Sequence, residues 1–361
     1  MIRIFDYLKL LPEIETEVMD AVRSVLRSGR LILGPETEAF ESEFADYTGA
    51  AHCIGVSSGT TALHLAMFSL GIGPGDEVIT VANTCVPTVS AIALTGARPV
   101  FVDVCERFLT MEPQLAIEAV TDRTKCILPV HLWGQPVRLE ELQKFSADTG
   151  LPLVEDCAQS LGARGPGGPT GTCGLIGCFS FYPTKNLGAF GDAGAIITDN
   201  TDLAEKLRRK RMYGYTRANF SDHPGMNARM SEIQAAILRV KLRYLPVWQK
   251  RRQDIAARYL SEITSESIVL PSRNKDCCHG YHQFVIRCRE RARVISQLED
   301  NSIEWAIHYP TPLHCMPPYF SPDLELPVTE RASGEILSIP VHEALTDQEI
   351  DHIIVTLNKC N

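Results

Sequence analysis

Gly177-Cys-Phe-Ser-Phe-Tyr182-Pro-Thr-Lys185-Asn-Leu-Gly188-Ala-Phe-Gly191-Asp-Ala-Gly194-Ala195 runs from a short apolar strand into a tight polar loop that holds one lysine, with glycines following at 188, 191 and 194. A surface lysine keeps charged company, whereas Lys185 is set among Phe, Tyr, Gly and Ala. Such surroundings lower an amine's pKa by desolvation and free it to act as a nucleophile. The segment therefore reads as a Schiff-base lysine; the competing reading is an ammonium that caps nearby carbonyls. Two other segments bear on the choice. Leu151-Pro-Leu-Val-Glu155-Asp156-Cys-Ala-Gln159-Ser160 has the pattern of a buried parallel strand with acids at its carboxyl end, where open α/β sheets keep their ligand crevices. Ile54-Gly-Val-Ser-Ser58-Gly59-Thr60-Thr61-Ala-Leu-His64-Leu65 reads as a strand, a small-residue turn and the start of a helix, whose first N–H groups converge as an anion cradle. An anion cradle, a strand-end acid and a buried lysine are the parts that hold pyridoxal phosphate: the cradle takes the phosphate, the carboxylate keeps the pyridine nitrogen protonated, and the amine binds the aldehyde.

Around these segments, short strand-like runs at 52–56, 77–81, 99–103, 125–130 and 152–155 alternate with helical patterns. That order predicts an α/β fold with a mostly parallel, doubly wound sheet and helices on both faces. The Pro- and Gly-rich stretch 164–171 predicts an irregular loop between the acid-bearing and lysine-bearing strands, and a candidate gate for the site. Apolar residues at helical spacing from Met230 to Ile263 predict a helix pair broken at Pro246. The expected division is a large cofactor-binding domain over 1–245 and a small C-terminal α/β domain over 246–361. In the latter, 281–288 and 337–341 read as strands, Arg291 to Leu298 as a helix, and Thr346 to Leu357 as a terminal helix capped by Thr346 or Asp347.

With 361 residues, 45% of them hydrophobic and 22% charged, the chain has material for both cores. A net charge of −9 argues against a nucleic-acid partner, and the basic runs 206–211 and 250–252 read as solvated helix faces. No signal peptide and no apolar run near the roughly 18 residues of a membrane span is visible, so a cytoplasmic protein without a membrane partner is expected. The twelve cysteines form no C-x-x-C pair. Cys53, Cys126, Cys178 and Cys288 lie in apolar stretches and read as buried free thiols, and no metal site is expected. The adjacent Cys277-Cys278 has no assigned role.

Four stretches, Ser58-Gly-Thr-Thr-Ala-Leu63, Glu155-Asp-Cys-Ala-Gln-Ser160, Phe179-Ser-Phe-Tyr-Pro-Thr-Lys-Asn-Leu-Gly188 and Gly225-Met-Asn-Ala-Arg-Met-Ser-Glu-Ile-Gln-Ala-Ala236, resemble in order and spacing the signature segments of the DegT/DnrJ/StrS sugar aminotransferases. The resemblance extends from Phe5-Asp6 to Tyr309-Pro-Thr-Pro-Leu-His314. It implies fold type I of the pyridoxal phosphate transferases, with Lys185 binding the cofactor and shuttling the substrate proton. Some relatives that dehydrate sugars carry His there, so Lys185 favours transamination over dehydration. It further implies that Asp156 faces the pyridine nitrogen, a turn cap being the alternative role, and that Gln159 approaches the ring hydroxyl. Gly59, Thr60 and Ser180, with backbone N–H groups and hydroxyls as donors, are assigned to the phosphate, and Thr61 to the cofactor site. Asn227 is expected to reach the cofactor phosphate of a neighbouring subunit, making a homodimer with shared sites. Cys85 stands where many relatives stack an aromatic residue on the ring, and sulfur can contact a ring face. Tyr182, His308, Tyr309 and His314 are candidates for the sugar, with a structural role the alternative for the two histidines; His64 reads as a core residue.

The stretch from Lys185 to Gly194 is more similar to family members that aminate a 3-keto hexose. The expected reaction converts a nucleotide-linked 3-keto-(6-deoxy)hexose to its 3-amino sugar with L-glutamate as donor. A 4-keto sugar or a keto-inositol of aminocyclitol synthesis is the alternative substrate, and a non-catalytic regulator is the reading from another class.

Overall fold

The computed structural model describes residues 1–272 and 275–360. Seven strands make the central layer: β1 His52–Val56, β2 Glu77–Val81, β3 Arg98–Val102, β4 Thr124–Ile127, β5 Val154–Asp156, β6 Ile176–Ser180 and β7 Gly194–Thr198. β2 pairs in parallel with β3 and β4, and β5 in parallel with β6. Parallel bridges Ile127–Leu153 and Val130–Asp156 join the two sets. β7 runs antiparallel to both β6 and β1, giving the order β3-β2-β4-β5-β6-β7-β1.

Burial explains the strand composition. Every residue of β2, Glu-Val-Ile-Thr-Val, is buried, as expected of a parallel strand covered on both faces. Side chains alternate between two apolar layers: Ile54, Cys178 and Ile196 pack with Leu63, Ile92 and Leu207 on one face, while Cys53, Phe179 and Ile197 pack with Phe40, Phe44 and Leu238 on the other. Helices therefore lie on both sides, among them α1 Leu11–Ser28, α2 Pro35–Thr48, α3 Gly59–Ser69 and α4 Val86–Ala93.

The C-terminal part builds on an antiparallel sheet of Ile268–Val269, Phe284–Cys288 and Ile336–Ile339, backed by helices Arg291–Asp300 and Asp347–Leu357. Thr346 and Glu349 close a reciprocal capping box on the last helix. Ile2 joins this core through a bridge to Ile303, so the first residues of the chain pack with its last third.

Three expectations need correction. Glu232–Glu262 is one unbroken helix with Pro246 inside it, crossing the expected boundary at 245/246. Pro246 lies on the exposed side of the helix, while Leu245 and Trp248 anchor it on the buried side. The 164–171 loop is a tight hairpin pairing Arg164 with Pro169 and Gly165 with Gly168. It is tied down by Arg164 and Cys278, which exchange backbone bonds of 2.9 and 2.8 Å, and it does not line the site cavity described below. The basic runs are not wholly solvated: Arg211 is buried against Glu41 and donates to the Gly55 carbonyl at 2.7 Å, and Arg252 is buried against Glu343. Cys53, Cys126, Cys178 and Cys288 are buried free thiols, and burial pushes Cys126 and Cys288 up to about 12. Among the described residues no helix is long and apolar enough to cross a membrane.

Candidate active site

The carboxyl ends of β1, β5 and β6 open into one cavity of about 350 Å³. The turn after β1 leads into α3, where the Ser58 hydroxyl caps the helix by accepting the Thr61 N–H at 3.1 Å. Gly59 and Thr60, at the first turn of α3 where N–H groups lack helical partners, line the cavity. A Cβ on Gly59 would lie 2.6 Å from Ser180 Cβ; glycine is what lets this helix end press against the end of β6.

Asp156 ends β5 with only 4% of its surface exposed. Its Oδ2 accepts the Thr88 hydroxyl at 2.8 Å and its Oδ1 the Ala158 N–H at 3.0 Å. Burial pushes the carboxyl above its ordinary value, held back by the Ala158 and Thr88 hydrogen bonds and by the Lys185 charge. A buried carboxylate in that state is stabilised by a cation brought to it. Lys185 shares the cavity, and burial pulls its amine below the ordinary lysine value against the opposing pull of Cys85 and Asp156. A larger neutral fraction is what a nucleophilic or proton-shuttling amine requires.

The C-terminal part supplies the facing wall through His282, Gln283, His308 and Tyr309. The Gln159 amide is fixed at both ends: Oε1 accepts the Trp133 N–H at 2.8 Å and Nε2 donates to the Tyr309 hydroxyl at 2.9 Å. Burial and the neighbouring Cys85 raise the Tyr309 phenol well above its usual range. His308 Nδ1 meets Ser338 Oγ at 2.9 Å, and burial together with Lys185 lowers this imidazole to about 4, so it is neutral at pH 7. Burial, with Lys185, Arg252 and His308 nearby, also keeps His282 neutral, and its Nδ1 is buried without a protein partner.

Ten of the expected residues line this cavity: Gly59, Thr60, Cys85, Asp156, Gln159, Ser180, Tyr182, Lys185, His308 and Tyr309. Three do not. Thr61 turns its hydroxyl to Ser57 and Ser58 at 3.1 and 2.9 Å. Asn227 is exposed and accepts from Arg229 Nε at 2.9 Å. His314 is buried at the start of a different contact, its Nε2 3.1 Å from Glu330 Oε1. His64, expected in the core, is half-buried and stacks on Phe68. The sequence reading missed Thr88 and Thr84, whose hydroxyls meet at 3.0 Å and lead to Asp156; their i, i+4 spacing across the start of an apolar helix was the available signal. It also missed His282 and Gln283, hidden in a strand pattern.

His131, Glu155 and Cys157 lie beside the site with ligand atoms within 4.8 Å of one another. The capacity of Glu155 and His131 is already used. Glu155 accepts from the N–H groups of Gly171, Cys173 and Gly174 at 2.8, 2.8 and 2.6 Å and from His131 Nε2 at 2.8 Å, while His131 Nδ1 accepts the Val137 N–H at 3.0 Å. A carboxylate with four donors and an imidazole bonded at both nitrogens form a structural brace, which fixes β5 and the loop before β6.

The donor set at the cavity fits pyridoxal phosphate. The open N–H groups of α3 with the Thr60 and Ser180 hydroxyls suit a phosphate dianion, Asp156 suits a protonated ring nitrogen, and the Lys185 amine suits an aldehyde.

Comparison with known proteins agrees with this donor set. The model of the DegT/DnrJ/EryC1/StrS aminotransferase family matches residues 12–358. The chain is 43% identical over 360 residues to a dTDP-3-amino-3,4,6-trideoxy-alpha-D-glucose transaminase of Micromonospora megalomicea subsp. nigra, covering 97% of this chain and 96% of the relative. It is also 43% identical over 349 residues to the erythromycin biosynthesis sensory transduction protein EryC1 of Saccharopolyspora erythraea, covering 96% and 95%. The crystal structure of S. venezuelae DesV in complex with a ketimine intermediate superposes with a TM-score of 0.95 at 40% identity, covering 98% of this chain and 96% of that one.

Proposed function

The chain belongs to the DegT/DnrJ/EryC1/StrS aminotransferase family, and from that premise we propose that it transfers an amino group to carbon 3 of a nucleotide-linked 3-keto sugar. It is a pyridoxal phosphate-dependent sugar aminotransferase of the α/β, fold type I architecture. The observation that carries the substrate reading is the likeness, over nearly the full chain, to transaminases named for 3-amino sugars, joined to a cavity that keeps both Lys185 and Asp156.

Bound in the cavity, pyridoxal phosphate supplies an aldehyde for amine capture and a cationic ring that withdraws electrons from the carbon being deprotonated. The chain's own residues do the rest. The N–H groups at Gly59 and Thr60 and the Ser180 hydroxyl bind the phosphate dianion. Asp156, held by Thr88 and Ala158, keeps a positive charge at the ring nitrogen. Lys185 Nζ, with its affinity for protons lowered by burial, would carry the proton between the substrate carbon and the cofactor carbon. Gln159, tied to Trp133 and Tyr309, orients the wall and would present its amide to the ring hydroxyl. Cys85 offers sulfur to the ring face. Tyr182, His308 and Tyr309 line the space left for sugar hydroxyls.

L-Glutamate is the proposed donor. The proposed assembly is a homodimer in which the exposed Asn227 serves the partner's site, and His314 takes no part in the site of its own subunit. The proposed lobes meet near 245, inside the Glu232–Glu262 helix. A cytoplasmic location fits a nucleotide-linked substrate and free thiols. The test is a panel of 3-keto and 4-keto nucleotide sugars and keto-inositols, following conversion of L-glutamate to 2-oxoglutarate, with the amination position read by NMR. Turnover of 3-keto sugars is expected. Turnover confined to 4-keto sugars or keto-inositols would move the substrate, and no turnover on any would favour a regulator, the role in EryC1's name.

A further inference from the structure

The Lys185 loop closes on itself. Ala189 N–H donates to the Phe181 carbonyl at 2.8 Å and Lys185 N–H to the Tyr182 carbonyl at 2.8 Å. A Cβ at Gly188 would lie 2.2 Å from the Pro183 carbonyl oxygen, so the two ends of the loop are in backbone contact. The carbonyl of that closing residue, Gly188, accepts a hydrogen bond from Lys241 Nζ. Lys241 comes from the Glu232–Glu262 helix and is only 8% exposed, between Leu238, Leu242 and Leu245, which pack with Phe181, Leu187 and Ala189 of the loop. Its ammonium also lies 4.9 Å from the centre of the Phe190 ring. The loop is tied on its other side by Asn186, whose Nδ2 donates to the Gly280 carbonyl at 2.8 Å and to Gln249 Oε1 at 3.2 Å. Burying an ammonium is costly, and a helix needing only packing at this position would carry an apolar residue.

We propose that Lys241 is a positioning residue for Lys185, its ammonium latching the Gly188 carbonyl and so fixing the loop from which the Lys185 amine enters the cavity. This rests on the reading of Lys185 as the cofactor-binding amine. A charged donor makes a stronger hydrogen bond than a neutral one, so the latch is strongest while Lys241 is protonated. Burial lowers Lys241 to about 8, opposed by Glu343. Glu343 is bonded to Arg252 of the same helix, and the carboxylates that α1 and α2 bring to this helix are paired with its arginines: Glu17 with Arg243, Glu36 and Glu43 with Arg239. The ammonium is thus held below about 8, and the latch weakens as pH rises through that value.

The test compares native holoenzyme with Lys241→Met and Lys241→Arg, reading amide hydrogen exchange over 181–190 together with kcat and KM. In Lys241→Met the Lys185 and Ala189 amides should exchange about tenfold faster, kcat should fall about tenfold and the sugar's KM should stay within about twofold, since one charge-assisted bond of a locally opening segment is lost. Lys241→Arg should restore protection. The native protein should show extra exchange above about 8, and Lys241→Met should lack that step. Unchanged exchange and kcat in Lys241→Met would overturn the proposal, as would protection lost evenly along the 232–262 helix, the mark of a residue that only holds the fold. Borohydride labelling of the native protein separates the two ideas: a label on a lysine other than Lys185 overturns the site reading and the latch with it, whereas a label on Lys185 with unchanged exchange in Lys241→Met overturns the latch alone.

Discussion

Gly59→Ala probes the phosphate cradle through a clash whose size the structure specifies. The new methyl would lie 2.6 Å from Ser180 Cβ and 3.2 Å from Ser180 Cα. Carbons rest at about 3.5–4.0 Å, so the start of α3 and Ser180 must part by roughly 1 Å. Ser180 is held in the sheet by its pairing with Gly194, which leaves the helix end to move. Overpacking of this kind costs roughly 1–3 kcal/mol, offset in part by the ~0.4–1 kcal/mol that replacing glycine gains through the unfolded chain. Net destabilisation of about 1–2 kcal/mol is expected. A retreat of ~1 Å also forfeits one of the N–H bonds to the phosphate, each worth roughly 1.5–3 kcal/mol, so cofactor affinity should fall by about ten- to a hundredfold. The assay is an absorbance titration of apoprotein with pyridoxal phosphate, alongside thermal melts. Gly334→Ala, where nothing lies within 4 Å of the added methyl, serves as the control and should leave binding unchanged. Affinity in Gly59→Ala within about twofold of native would refute the assignment of this helix end to the phosphate.

Other predictions address the ring, the folded state and the assembly. Asp156→Asn should still bind the cofactor, because the phosphate anchors remain, but its single-turnover half-reaction with L-glutamate should slow by at least about a hundredfold, each ~1.4 kcal/mol of lost transition-state stabilisation being a factor of ten; a near-native rate would reduce Asp156 to a turn cap. Glu77, whose carboxylate is bonded to Arg98, Thr121 and Arg123, is lowered from 4.5 to about 2, chiefly by Arg98. Its contribution to stability is therefore present above about 4.5 and lost as pH falls toward about 2, and Glu77→Gln should flatten that part of the denaturation profile. A mixture of inactive Lys185→Ala and Asn227→Ala chains should regain part of the activity after subunit exchange, whereas a fully active Asn227→Ala protein would remove the shared-site proposal.

The parts of the fold that were legible in the sequence are those where burial and chain direction act together. β1 and β2 fall on the expected 52–56 and 77–81 because turn residues bound short apolar runs on both sides. β3 and β5 shift by one or two residues, since a continuous apolar run does not say where hydrogen bonding to the neighbour stops. Pro246 misled because its effect depends on which way its face of the helix points, and α1 and α2 hold that helix from the buried side. Within the site, Lys185, Asp156 and Gly59 stood out because charge or a missing side chain in an apolar setting is visible one residue at a time. Thr88 and Lys241 did not: each matters through one partner, Asp156 or Gly188, that is distant along the chain. His314 was a candidate through the family resemblance, with a structural role as the alternative; it sits in the turn Leu313–Cys315 with its Nε2 on Glu330, outside the described cavity.

Every role proposed for the cavity depends on Lys185 being the amine that carries the cofactor. Borohydride reduction of the holoprotein, followed by peptide mapping, tests this directly. The visible band should disappear and the pyridoxyl group should be found on Lys185, in the peptide that contains the buried Phe181 and Leu187. A pyridoxyl group on any other lysine, Lys241 included, or a holoprotein in which no lysine is labelled, would contradict it.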